Sequence, residues 1–175
     1  MGLGNSCYTD SMHIYRQIEP EDAQHLMNWF NKIVAQDRGV FQNAPVSLSE
    51  EEAYVRQQLE LIRSGQLVSL VAIDNHPVVG KIDVLKGQKY VDAHVGTILF
   101  GLLPGHEAMG EELILEAMEQ ASTINIELLV YNQRSCDPMY APIFERVGFK
   151  KVGHIPRYYH KHNQYCDRII YSRSL

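Results

Sequence analysis

The sequence predicts an α/β domain with a mixed sheet of about seven strands and about four flanking helices. Three observations carry this. Apolar residues alternate with period two or recur at helical spacing in the order β-α-α-β-β-β-α-β-α-β-β. Turn signals such as Asp74-Asn75-His76-Pro77 join neighbouring strands as hairpins, so part of the sheet is antiparallel. The stretch 95–130 reads strand, Gly-bearing turn, helix, strand, which is a parallel crossover.

The elements follow in order. Residues 1–12 are polar and Gly-bearing and read as a flexible leader. His13–Ile18 alternates as a strand. Pro20-Glu21-Asp22 opens a helix, with Pro in the first turn and acids at the positive end of the dipole; Leu26, Trp29, Phe30, Ile33 and Val34 form its apolar face. Gly39 to Val46 is a loop. Ser49 and Glu52 form a capping box for a second helix, carried by Val55, Leu59 and Ile62 to Gly65. Leu67–Ile73 and Val78–Leu85 are a hairpin, and Val91 to Leu103 is a long strand. Met109 to Ser122 is a helix with Leu113, Ile114, Ala117, Met118 and Ala121 on one face. Ile124–Val130 is a strand, Pro138 to Val147 a short helix broken or delayed by Pro142. Phe149–Ile155 and Arg168–Ser172 are strands joined by a polar, Tyr/His-rich connection.

A chain of 175 residues suffices for one domain with a sizeable core, expected over 13–175. The 45% apolar and 21% charged fractions are those of a soluble globular protein. A net charge of −5 and scattered Lys and Arg argue against a nucleic-acid partner. No apolar run approaches the roughly 20 residues of a membrane span, and no signal peptide is apparent. Met1-Gly2-Leu3-Gly4-Asn5-Ser6 fits an N-myristoylation pattern, with Cys7 as a second acyl site, so no membrane partner is expected unless Gly2 is acylated. The three cysteines, Cys7, Cys136 and Cys166, are odd in number and lack CxxC spacing. That argues against a disulfide framework and a zinc site, and for a reducing, cytoplasmic setting. His160, His162 and Cys166 could ligate a metal, but a polar hairpin is the simpler reading, and no metal is expected.

The turn Pro104-Gly105-His106-Glu107-Ala108-Met109-Gly110 follows a strand and opens a helix. Such a turn aims backbone N–H groups at one point, where a pyrophosphate can sit. With this element order, the turn makes residues 13–175 resemble the GCN5-related N-acetyltransferase (GNAT) family. Three further landmarks carry the resemblance: Asn132 after the fifth strand, the run Ile143-Phe144-Glu145-Arg146-Val147-Gly148-Phe149, and Val152-Gly153 with Tyr165-Cys166-Asp167. The resemblance implies a three-layer fold with a mostly antiparallel sheet. It implies acetyl-CoA as cosubstrate, a primary amine of a small molecule or peptide as acceptor, and direct attack in a ternary complex. A homodimer stays open. It also implies that Gly105, His106, Glu107, Ala108, Met109 and Gly110 hold the pyrophosphate, with Asn132 near the pantetheine. Two departures stand out. The family's basic and middle Gly positions are Gly105 and Ala108, and its thiolate-protonating Tyr falls at Phe144, which has no proton to give. Tyr140, one helical turn earlier, is either a surrogate acid or a packing residue. A weakened domain used for acyl-CoA sensing or partner binding is the alternative function.

Acetyl transfer to an amine needs a polarised thioester carbonyl, a deprotonated amine and close positioning. Backbone N–H groups near Leu102 and Leu103, where strand four would splay from strand five, are the expected polarising donors; Gly101 permits a bulge there. Asp92 and His94, two residues apart on one strand face, are candidate bases or plain polar residues near a strand start. Glu127 is a third candidate that also suits a solvent-facing position. Arg157, Tyr158, Tyr159, His160 and Tyr165 form either an acceptor-side wall or an exposed hairpin. Glu107 beside a pyrophosphate is repulsive unless it turns to solvent. Cys136 is a competing nucleophile, but no His stands at a telling spacing, so a loop thiol is the simpler reading.

Overall fold

A computed structural model describes residues 13–36, 44–161 and 163–175. The leader with its acylation pattern and Cys7, most of the loop after the first helix, and His162 lie outside the described residues. The elements come in the predicted order: β1 (His13–Gln17), α1 (Ala23–Ala35), α2 (Leu48–Arg63), β2 (Leu67–Asp74), β3 (Val78–Lys86), β4 (Val95–Leu102), α3 (Glu107–Thr123), β5 (Leu128–Arg134), α4 (Ala141–Arg146), β6 (Lys150–Lys161) and β7 (Gln164–Ser174). They form one seven-stranded sheet in the order β1-β2-β3-β4-β5-β7-β6. Among the described residues only β4 and β5 pair in parallel; the other neighbouring strands pair antiparallel. The parallel pair is joined by the single helix α3, whereas β1 and β2, joined by the two helices α1 and α2, pair antiparallel.

Each face of the sheet has its own core, which makes three layers. On one face α3 lays Leu113, Ile114, Ala117 and Ala121 on β2–β4, and α4 adds Ile143 and Phe144. On the other, Leu26, Trp29 and Ile33 of α1 and Val55 of α2 pack on Val71, Ile73 and Val78. A 3₁₀ turn at Pro20–Asp22 leads into α1. Its Asp22 carboxylate accepts the Glu19 N–H at 2.8 Å and both Arg16 guanidinium arms at 2.7 and 2.8 Å.

Several boundaries differ from expectation, each for a local reason. The capping box of α2 is Ser47 with Glu50, not Ser49 with Glu52. The Ser47 N–H reaches the Glu50 carboxylate at 2.7 Å and the Ser47 hydroxyl accepts the Glu50 N–H at 3.4 Å. Both pairs fit the motif, and the earlier one starts the helix two residues sooner. β4 begins at Val95, not Val91, because Asp92 closes a turn: its carboxylate accepts the Lys89 N–H at 2.8 Å and its carbonyl the Val95 N–H at 2.9 Å. β5 begins at Leu128, not Ile124; α3 runs on to Thr123, and Asn125 then turns left-handed at φ 60°. The Tyr/His-rich connection is itself β structure, since β6 and β7 extend toward each other with two register shifts.

The cysteine expectation is overturned. Cys136, in the loop after β5, is disulfide-bonded to Cys166 on β7, with Cα atoms 5.6 Å apart. Sequence spacing carries no sign of a bond that joins strands brought together by the sheet. Cys136 is therefore not a loop thiol, and Cys166 is not available as a thiolate ligand. Alkylation of denatured protein should leave Cys136 and Cys166 unlabelled until reductant is added. The Cys136→Ser/Cys166→Ser pair should lose about 2–4 kcal/mol of unfolding free energy in urea. Labelling of both without reductant would contradict the bond.

Candidate active site

The site begins where the parallel ladder stops. β4 and β5 pair from Val95/Leu128 to Ile98/Tyr131, yet β4 continues to Leu102 and β5 to Arg134. The Leu103 N–H bonds the Val79 carbonyl at 2.8 Å. The alternation of an antiparallel ladder then turns the polar groups of Leu99 and Gly101 toward β3, and those of Ile98, Phe100 and Leu102 toward β5. The next parallel rung, Phe100 N–H to Asn132 carbonyl, is not made, so the Phe100 N–H opens on the gap.

This corrects the expected carbonyl-polarising donors. The Leu103 N–H is taken by Val79. The Leu102 N–H is taken by the Tyr140 hydroxyl at 3.0 Å, and the same hydroxyl donates to the Leu102 carbonyl at 3.0 Å. Phe100 is the donor that sequence reasoning missed; the signal was parity along β4, legible only once the register is known. Tyr140 is 2% exposed, and its proton is engaged at Leu102. It is placed as a strut between the start of α4 and the end of β4, not as an acid on the cavity. Phe144 is fully buried below the gap. It stacks on Tyr131 at 3.8 Å and meets Phe100 and Phe149 edge-on at 5.3 and 5.1 Å. Its place is the core rather than the cofactor face. Asn132 is the first β5 residue past the paired stretch and lines the cavity described below.

The turn at 104–110 has the expected backbone but not the expected occupancy. Gly105 takes φ 85°, which L side chains rarely adopt. The first intrahelical bond of α3 runs from the Gly110 N–H to the His106 carbonyl at 3.0 Å, so the N–H groups of Glu107, Ala108 and Met109 belong to the open first turn. Glu107 is exposed, yet its carboxylate does not turn away from the turn. Its carboxylate folds back on its own N–H and on the Gly105 N–H, the latter at 3.2 Å, and these contacts hold it below the usual carboxylate pKa. The turn is thus an anion site with its own side chain in it. His106 is tied down by the Pro104 carbonyl at 3.1 Å and faces Asp74 of β2 at 3.4 Å. Met109 is in the core. Gly110 serves packing rather than anion binding: a Cβ there would stand 2.8 Å from Leu102 Cδ2.

On the α1/α2 face, a cavity of about 490 Å³ opens beside the β4–β5 gap, a size typical of small-ligand sites. Its apolar walls are Trp29 and Phe30 of α1 with Leu99 of β4, and its polar floor is Lys81, Asp83, Glu51 and Tyr54. Lys81 and Asp83, both 5% exposed, form a close ion pair two residues apart on β3. The Tyr54 hydroxyl donates to Asp83 at 3.0 Å. Burial, then the Asp83 charge, push the Tyr54 pKa far above its ordinary value. Burial raises the Glu51 carboxyl pKa; Lys81 opposes this and Asp83 adds to it. No sequence motif marked this group, because its members come from α2 and β3 and meet only across the layers.

The residues expected as bases stand elsewhere. Asp92 and His94 sit in the turn before β4, not on the strand, and Glu127 is exposed just before β5. All are at the opposite end of β4 from Leu102, roughly 25 Å away at about 3.3 Å per residue. The structure does not bring them to the cavity. The Tyr/His-rich wall is a stacked ladder on the β6–β7 hairpin: Arg168 lies over Tyr158 at 3.7 Å and Arg157 over Tyr165 at 4.2 Å. It does not line the cavity.

Two outcomes follow. Tyr140→Phe should cost about 2–3 kcal/mol of stability in urea, since a buried N–H and C=O of Leu102 lose their partner; a loss under about 0.5 kcal/mol would contradict the strut. Glu107→Gln should tighten binding of a CoA phosphate chain roughly two- to fivefold in calorimetry, an exposed charge being worth little more; unchanged or weaker binding would show that the carboxylate does not compete for the turn.

No family model matches this chain, and neither does any curated protein sequence. The fold has many counterparts among solved structures. A GNAT-family acetyltransferase from Streptococcus pneumoniae superposes with TM-score 0.82 at 18% identity, covering 94% of this chain and 100% of that one. A putative acetyltransferase from Salmonella typhimurium, solved with its cofactor acetyl-CoA, gives TM-score 0.80 at 15% identity over 93% and 94% of the two chains. A ribosomal-protein-alanine N-acetyltransferase from Brucella melitensis gives 0.80 at 17% identity over 93% and 99%. With the interrupted β4–β5 ladder and the turn that opens α3, these likenesses establish that the chain has the fold of the GNAT acetyltransferases.

Proposed function

We propose that the protein transfers an acetyl group from acetyl-CoA to a primary amine by direct attack in a ternary complex. The observation that carries this is the end of the β4–β5 ladder at Ile98/Tyr131, with the Phe100 N–H on the gap and a cavity beside it. A backbone N–H fixed in a strand is a preorganised donor for a thioester oxygen as it gains charge. The turn at 105–109 fits a pyrophosphate by its present occupant, since its N–H groups already hold a carboxylate. An incoming phosphate chain would displace Glu107 to solvent, which its exposed position allows. When bound, acetyl-CoA supplies the activated acetyl group; the chain supplies the Phe100 N–H, the anion turn and the walls that exclude water. The solved neighbours named as acetyltransferases, one of them holding acetyl-CoA, support the reading.

A second reading, an acyl-CoA sensor or partner-binding domain, draws support from two features. Glu107 competes for the anion turn, and the position of the expected acid is Phe144. One experiment separates the two. Acetyl-CoA at a hundredfold excess over its Kd should stabilise the fold by about 2.7 kcal/mol, several degrees in Tm, and a panel of primary amines should then release free thiol. Binding without thiol release favours the sensor. No shift with acetyl-CoA or free CoA contradicts the transferase and the sensor and favours the partner-binding domain.

A further inference from the structure

We propose that the cavity between α1, α2 and the β3–β4 face receives the acceptor as a primary ammonium on a compact apolar body, with Glu51 taking the proton that frees its nitrogen. This rests on the acetyl-transfer reading above. The first argument is charge. Lys81 and Asp83 pair with each other, whereas the carboxylate of Glu51, a residue 7% exposed, makes no direct hydrogen bond or ion pair among the described residues and feels the Lys81 charge only at longer range. With two carboxylates and one cation the floor carries an excess negative charge, and burying such charge is costly; a cation in the cavity offsets it. The second is unmet hydrogen bonding. Asp83 Oδ1, an acceptor buried without a partner, belongs to a residue that lines the cavity and can accept an ammonium N–H. The third is shape. Trp29, Phe30 and Leu99 suit an apolar body, and Gly101 lets the Trp29 ring lie against β4, since a Cβ there would stand 2.8 Å from it. Asn31 fixes the Val46 wall through both its N–H and its carbonyl, at 2.8 and 3.0 Å.

The proton balance closes without a further reactant. The ammonium gives one proton to Glu51, which passes it to solvent. The nitrogen lone pair forms the C–N bond as the thioester C–S bond breaks, and the second N–H proton leaves with the thiol. The titratable groups around Glu51 in the cavity are Glu50 and Tyr54 of α2, Lys81 and Asp83 of β3 and Tyr131 of β5. Burial holds the Glu51 proton more tightly than in water, which brings a carboxylate closer to the range useful for a base.

Trp29 is the chain's single Trp, so its fluorescence reports on the cavity. Phenethylamine should perturb it at pH 7.5, whereas 2-phenylethanol, without the charge, should bind at least fivefold more weakly. In Glu51→Gln, kcat/KM for the amine should fall about a hundredfold and the acid limb of its pH profile should vanish, with the Kd for acetyl-CoA unchanged. The same variant should melt no lower than the parent at pH 7.5. A free-amino-terminus peptide in place of phenethylamine distinguishes a peptide from a small-molecule source. Equal amine turnover in Glu51→Gln, or loss of acetyl-CoA binding along with activity, overturns the proposal. Silence of Trp29 and of thiol release with every amine, while acetyl-CoA still binds, overturns it too. Amine binding without acetyl-CoA binding would instead overturn the transferase reading.

Discussion

The hydroxyl of Tyr140 occupies the hydrogen-bonding groups of Leu102 that a neighbouring strand would otherwise use. Everything at the centre of the molecule depends on that substitution. A sheet edge exposed inside a protein is unfavourable unless its polar groups are paired. By pairing Leu102 with a side chain, the fold lets β4 run past the last rung at Ile98/Tyr131 without closing on β5. The rings of Phe100, Tyr131 and Phe144 fill the space below. What remains is a gap one rung wide with a backbone donor on its edge and a cavity on the opposite face from α3. Leu102, held by the strut, and Phe100, the donor, share one parity and stand two residues apart, so a side chain at the start of α4 can hold the strand end while the Phe100 N–H stays on the gap.

The anion turn and the cavity floor work by opposite electrostatic arrangements. At the turn, a carboxylate sits where backbone N–H groups converge, in an exposed position where a ligand can displace it cheaply. On the floor, charges are buried, and only one of the carboxylates makes a direct ion pair among the described residues. In the proposed reaction the first arrangement would tune affinity for a phosphate chain and the second would favour a cationic acceptor, on the two sides of one gap.

Much of the fold was legible in the sequence, because hydrophobic periodicity and turn chemistry are local. The order of strands and helices, the hairpin at 74–77, the late start of α4 with Pro142 in its first turn and the α3 face all follow from residues near one another. Less of the site was legible. Which N–H groups of β4 remain for a ligand depends on register, and neither Leu102 nor Leu103 keeps one. Asp92 and His94 belong to a turn whose closure by Asp92 moves the strand start by four residues. Gly110 looked like a phosphate-loop residue and is a packing residue. The Lys81–Asp83 pair lies within the Val78–Leu85 strand, and its meeting with Glu51 and Tyr54 of α2 depends on how the layers pack. The Cys136–Cys166 bond joins elements that only the sheet brings together.

The account turns on one proton. Nuclear magnetic resonance of the isotope-labelled protein, titrated with acetyl-CoA in the absence of an amine, reads it directly. The Phe100 amide should move downfield and exchange more slowly on binding, while the amides of Leu102 and Leu103, held by Tyr140 and Val79, keep their positions. Saturating acetyl-CoA that leaves the Phe100 amide unmoved would contradict the account.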